Sequence, residues 1–169
     1  YKKKITITPE EEKKHIWIEF EGAMHLADVW INGKHVMQHA GGYTPFVVDA
    51  TGLLKTGKEN ELLVRLDNRN NSLIPPGKPL ETLDFCYYGG IYRNVHLIEK
   101  ADVHITHPIL DGHPAGAGIF ITYPKVSQEL SVVDAKTEIK NTSDKEKVVE
   151  LRHTLYTWKK QKGKDKKVQ

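Results

Sequence analysis

The sequence predicts an all-β protein: short antiparallel strands packed into a sandwich or barrel. Three observations carry that prediction. Apolar and polar residues alternate with period two in several short segments. Gly, Pro, Asn and Asp clusters separate those segments. Sustained helical periodicity is absent from the chain.

The first strand signal is HIWIEFEG (15–22), where Ile16, Ile18 and Phe20 alternate with Trp17 and Glu19. LADVWINGKHVMQH (26–39) reads as a hairpin. Its turn is Asn32-Gly33, the pair favoured where both central residues need positive φ, and Ala27, Val29 and Ile31 alternate with Asp28 and Trp30. Residues 43–68 supply two further strands around a short turn capped by Asp49 or Thr51; in the second, Leu62, Val64 and Leu66 alternate with Leu63 and Arg65. RNNSLIPPGKPLETLD (69–84) is a loop, longer than most loops that lack structure of their own. GIYRNVHLIEK (90–100) reads as one more strand.

After Lys100 the character changes. HITHPILDGHPAGAG (104–118) is a Pro- and Gly-rich join. Residues 131–160 then read as two strands around the polar turn NTSDKEK (141–147). Val133, Ala135, Thr137 and Ile139 mark the first strand; Val149, Leu151, His153, Leu155 and Thr157 mark the second. The pair resembles the opening of an immunoglobulin-like sandwich, a fold that needs about 100 residues. Too few remain here, so the second domain is expected to be cut short. The opening YKKKITITP reads as a strand already under way, and the chain is expected to be part of a longer protein.

Composition narrows the class. Of 169 residues, 38% are hydrophobic and 28% charged, a globular balance. No apolar run approaches the roughly 20 residues of a membrane helix, and no signal-peptide pattern opens the chain. A net charge of +3 is too small to argue for nucleic acid. The basic tail KKQKGKDKK (159–167) reads as a solvated turn around Gly163. The single cysteine, Cys86, excludes an intrachain disulfide and fits a reducing compartment without ruling out a periplasm. It lacks an adjacent histidine and reads as an inert thiol. His35 and His39, like His104 and His107, have metal-ligand spacing only on a helix. On strands or loops, without an acidic or cysteine partner at ligand spacing, they do not predict zinc.

LDFCYYGGIYRNVHL (83–97) carries the chemistry. It sets one carboxylate, Asp84, among Phe85, Tyr87 and Tyr88, just before Gly89-Gly90. Aromatic faces suit the CH surfaces of sugars. A carboxylate accepts hydrogen bonds from two adjacent hydroxyls and, being charged, accepts them strongly. Asp84 could equally cap the Gly-Gly turn. Arg93 reads as a strand residue pairing a carboxylate or loop carbonyls, or as a second ligand contact. Tyr87 and Tyr88 read as pocket-lining, with one of them in the core. Trp17 and Trp30 read as packing.

Taken in order, ADVWINGKHV, GGYTPFVVDAT, ELLVRLDN and DFCYYGGIYRNVHL resemble the sugar-binding domain of glycoside hydrolase family 2, which includes β-galactosidases, β-glucuronidases and β-mannosidases. The resemblance covers residues 1–100 as a jelly-roll β-sandwich and 101–169 as the start of an immunoglobulin-like β-sandwich. It implies a (β/α)8 barrel elsewhere in the parent, carrying the two glutamates of a retaining mechanism, and therefore no catalytic residue in this chain. The family pattern D-x-x-x-x-[SAG]-G-[IL]-[FYH]-R is matched by Asp84, Gly90, Ile91, Tyr92 and Arg93. It implies that Asp84 reaches the barrel's active site and contacts sugar hydroxyls; Tyr87 and Arg93 are read beside it as further substrate contacts. In some galactosidases this aspartate lies near a sodium ion. A sodium or magnesium ion in the full-length parent is the corresponding expectation, with no cofactor in this part. The implied partners are a carbohydrate substrate, most readily a β-galactoside, and the barrel of the same chain, in a parent that could form homo-oligomers in a bacterial cytoplasm or periplasm. A free-standing carbohydrate-binding module is the alternative.

Overall fold

The computed structural model describes residues 1–85, 87–113, 116–161 and 164–168, with Leu80 and the last two strands given as backbone only. The architecture is all-β. The only helical pieces among these residues are 3-10 turns at Glu11–Lys13 and Leu80–Thr82, and no helix is long and apolar enough to cross a membrane.

Nine strands precede residue 101: β1 (Lys2–Ile5), β2 (His15–Phe20), β3 (Ala23–Met24), β4 (Leu26–Ile31), β5 (Lys34–Ala40), β6 (Phe46–Asp49), β7 (Asn60–Asp67), β8 (Gly90–Ile91) and β9 (Val95–Lys100). They form a four-stranded sheet ordered β1-β7-β4-β5, a three-stranded sheet ordered β6-β2-β9, and the small β3-β8 pair, all antiparallel. Ala27, Val29, Ile31, Leu62 and Val64 from the first sheet meet Ile16, Ile18, Phe20, Phe46 and Val48 from the second in one core. These are the period-two positions of the sequence, as face-to-face packing of two sheets requires. The β4-β5 turn has Asn32 at φ 50° and Gly33 at φ 79°, the geometry that favours Asn-Gly. An open apolar hollow of about 580 Å³ lies between β1 and β9, and no described residue of the 84–88 segment lines it.

Three strand readings need correction. The run 90–100 is two strands, because the chain changes partner. β8 pairs with β3 and β9 with β2, and the break at Tyr92–Asn94 spans the matching break at Glu21-Gly22. Gly22 permits this crossing, since a Cβ there would sit 2.9 Å from the Tyr92 ring. Arg93 therefore lies in an exposed bend, outside any strand. The second is the strand read over 133–139, which is two, Ser131–Thr137 and Ile139–Asn141, with different partners; on β2, Trp17, read as packing, is as buried as the core isoleucines, so that strand buries both faces. The third is the predicted strand after residue 147. Residues 146–156 take no strand pairing, and Val148 and Leu155 stand almost fully in solvent. Their alternation meets no partner strand among the described residues.

Beyond residue 100, β10 (Val103–Ile105) pairs with β13 (Ile139–Asn141), and β11 (Ile119–Val126) pairs with β12 (Ser131–Thr137). β14 (Thr157–Gln161) and β15 (Lys164–Val168) form a final ladder, so strand pairing occupies much of the basic tail read as a turn. Gly163 itself lies outside the described residues. Among the described residues no sheet mixes strands from the two sides of residue 101.

Trp17 explains the two histidines that were candidate ligands. His104 and His107 pack edge-on to its ring, with centroids at 5.3 and 5.6 Å. They join β2 to the segment after residue 100 by packing. Burial lowers the His107 pKa below its ordinary 6.5, against the opposing pull of Glu19 and Asp111. The unfolded chain therefore binds that proton more readily than the folded chain. This part of the stability is complete above about pH 6.5 and is lost as pH falls through the lower folded value. Melting temperature should accordingly drop on acidification from pH 6.5 to 5, before the carboxylates titrate. Calorimetry across that range should show a shallower drop for His107→Gln; an identical slope would refute the assignment.

Candidate functional site

The candidate site lies on the connections between strands. Three segments converge on His25, a buried residue between β3 and β4. The Gly41–Pro45 turn is held by Gly41 N–H donating to the His25 carbonyl at 2.9 Å. The end of β7 is held by His25 N–H donating to the Asp67 carbonyl at 3.3 Å. The 68–89 loop is held by a hydrogen bond shared between the Tyr87 hydroxyl and His25 Nδ1, with the two rings edge-on at 5.9 Å. Sequence reasoning weighed histidines only as metal pairs and missed this one. Its signal, a polar ring in the buried run 22–25, becomes visible only once burial is known.

Close glycine contacts set the loops further. A Cβ on Gly42 would lie 2.1 Å from the Met24 sulfur, and one on Gly89 would lie 2.5 Å from Asn68 Nδ2. The Tyr92 hydroxyl donates to the Gly42 carbonyl. Thr44 Oγ1 and His39 Nε2 share a hydrogen bond of 3.2 Å, and burial lowers the His39 pKa. Beside His25 is a polar cavity of about 230 Å³ lined by Leu26, Asp67, Arg69, Asn70 and Asn71. Hydrogen bonds from Arg69 hold the Asp67 carboxyl well below the usual carboxylate range.

Asp84 is exposed on this anchored loop, directly after the Leu80–Thr82 turn. Among the described residues its carboxylate has no hydrogen-bond or ion-pair partner. It makes no bond to Gly89 or Gly90, so turn-capping does not account for it. Tyr87 is half-buried, and burial raises its hydroxyl pKa, with Tyr43 adding to the effect. Tyr88 is exposed, and neither tyrosine joins the core, contrary to the reading that placed one there. Arg93 pairs with no carboxylate among the described residues; its guanidinium lies over the Tyr92 ring at 5.5 Å. Cys86 lies outside the described residues.

The remaining metal candidate resolves into packing. His35 hydrogen-bonds the buried Asp28 at 3.0 Å and packs edge-on to Trp30. Burial works against the Asp28 charge, but bonds from Arg65, Gln38 and His35 outweigh it and keep its pKa low. The described residues contain no group of three or more His, Cys, Asp and Glu able to hold a metal ion. Asp84 would bring a single carboxylate to any ion.

Solved structures share this fold. Bacteroides uniformis β-glucuronidase 2, covalently bound to cyclophellitol-6-carboxylate aziridine, is 32% identical with a TM-score of 0.71; the match covers 84% of this chain and 16% of that one. A putative β-galactosidase from Bacteroides fragilis is 31% identical with a TM-score of 0.72, covering 84% and 20%. Among curated proteins, a β-glucuronidase of Bacteroides fragilis is 36% identical over 145 residues, covering 83% of this chain. A β-galactosidase of Thermoanaerobacter pseudethanolicus is 38% identical over 145 residues, again covering 83%. This chain spans 19% of the length of each of these two relatives. The class is thus a β-sandwich shared with large glycosidases. Residues 1–101 match "Glycosyl hydrolases family 2, sugar binding domain", and the chain belongs to that family.

Proposed function

We propose that this chain is the sugar-contacting, non-catalytic part of a retaining β-glycosidase, and that Asp84 accepts hydrogen bonds from hydroxyls of the bound sugar. The observation that carries the reading is the exposed Asp84 carboxylate, without a partner among the described residues, on a loop tied to the sandwich through Tyr87 and His25. A carboxylate in that state has its acceptor capacity free, and a held loop offers it at little ordering cost. Its place in the matched family segment and the glycosidase names of the relatives support the same reading.

Retaining hydrolysis needs two carboxyl groups about 5 Å apart across the scissile bond. We assign that pair to a barrel in the longer parent, with residues 101–169 opening an immunoglobulin-like domain between the two. The present chain should be catalytically silent. A β-galactoside is our preferred substrate; a β-glucuronide is the second reading, favoured by the Bacteroides fragilis and Bacteroides uniformis relatives.

The test is turnover of chromogenic galactosides, glucuronides and mannosides by the full-length parent, wild type beside Asp84→Ala. One activity should dominate. The substitution should remove about 2–4 kcal/mol of transition-state stabilisation, read as kcat/KM, with the melting temperature unchanged because the residue is exposed. Equal catalysis by the variant would remove Asp84 from the site. An inert wild type would favour a carbohydrate-binding module.

A further inference from the structure

We propose that Tyr43 and Phe85 together form an aromatic wall that stacks on the apolar face of a pyranoside ring while Asp84 takes its hydroxyls. This rests on the reading of Asp84 above and adds a residue from a separate segment. Tyr43 lies in the Gly41–Pro45 turn between β5 and β6, whereas Phe85 follows Asp84 on the 68–89 loop. Their ring centroids are 6.2 Å apart at an interplanar angle of 65°. Tyr43 is 42% exposed and Phe85 49%, and neither contributes to the core.

Aromatic rings in a sandwich ordinarily fill its interior, so two meeting in solvent need another reason. An edge-to-face contact occupies one face of one ring, and the exposure of both residues leaves the remaining aromatic surface open to solvent. A pyranoside presents a CH face with hydroxyls around its rim, so a ring face beside a carboxylate matches both parts. The backbone under Tyr43 is fixed by Gly42 against Met24, by the Tyr92 hydroxyl on the Gly42 carbonyl and by Thr44 on His39. Phe85 lies two residues from Tyr87, which is anchored on His25, the residue that also holds Gly41. Only the two χ angles of each ring remain to be ordered on binding, a small entropy cost for a large contact area.

The test is Michaelis–Menten kinetics on the full-length parent with its best chromogenic glycoside, comparing Tyr43→Ala, Tyr43→Leu and Tyr43→Phe with Asp84→Ala. Loss of the wall should raise KM about five- to tenfold in the Ala and Leu variants, with kcat within about twofold of wild type. Tyr43→Phe, which keeps the ring, should restore the wild-type KM. A leucine variant as good as phenylalanine would overturn stacking, as would an unchanged KM in Tyr43→Ala. Wild-type kinetics in every Tyr43 variant beside a collapsed Asp84→Ala would remove the wall and keep Asp84. Wild-type kinetics in all four variants would overturn both.

Discussion

Phe20→Ala should destabilise the chain by about 3–5 kcal/mol, read as a lower midpoint in chemical denaturation at unchanged slope. Phe20 is fully buried on β2 and stacks on Phe46 at 4.6 Å with the rings nearly parallel. Phe46 in turn stacks on His39 at 4.5 Å. The substitution removes apolar area and leaves a void that two hydrogen-bonded sheets cannot collapse to fill. The same row of rings runs from the core to His39, which bonds Thr44 in the turn carrying Tyr43. Loss of Phe20 should therefore also loosen that turn. Phe20→Leu keeps most of the volume and should cost under about 1.5 kcal/mol. A cost as large as that of alanine would mean that ring stacking, and not volume, holds this part of the core.

The contrast between what could be read and what could not follows from the range of each signal. The Asn32-Gly33 hairpin was legible because two adjacent residues determine their own φ values. The core faces of β2, β4 and β7 were legible because period two is a property of one strand. Trp17 also alternated correctly, yet its burial depends on His104 and His107, far along the chain. The break at Tyr92–Asn94 depends on which strands β8 and β9 pair with, and no local residue announces it. Leu151 and Leu155 alternate as a strand should, but alternation without a partner does not make one.

The candidate site divides in the same way. Asp84 and Tyr87 were legible as candidates because they share a short segment with the Gly-Gly pair. Their setting was not: His25 and Tyr43 come from other parts of the chain, and only the folded sheets bring them to the loop. A single aspartate in an aromatic segment was compatible with turn-capping until its lack of bonds to Gly89 and Gly90 was visible.

Asn60→Ala should cost about 3–4 kcal/mol, nearly as much as Phe20→Ala, although it deletes only a small polar group. Asn60 is fully buried at the start of β7. Its amide donates to the Lys55 carbonyl at 2.9 Å and, less closely, to those of Ile5 and Lys58. Its carbonyl accepts from Lys55 N–H at 2.9 Å and Asn32 Nδ2 at 3.0 Å. One side chain thus joins β1, the Lys55–Lys58 turn and the β4-β5 hairpin. Removing it strands several part-buried groups at once, each costing about 1–3 kcal/mol when it finds no water. Asn60→Asp keeps the acceptor but loses the donors, so it should recover only part of the loss. A cost near zero for Asn60→Ala would mean that water replaces these bonds and that the turn is more open than its burial indicates. The Asn60 network includes neither His25 nor any described residue of the 84–88 segment. Below the melting temperature, KM of the parent should therefore be the same in Asn60→Ala as in wild type, whereas Phe20→Ala, acting through His39, should raise it. That difference separates general stability from support of the site.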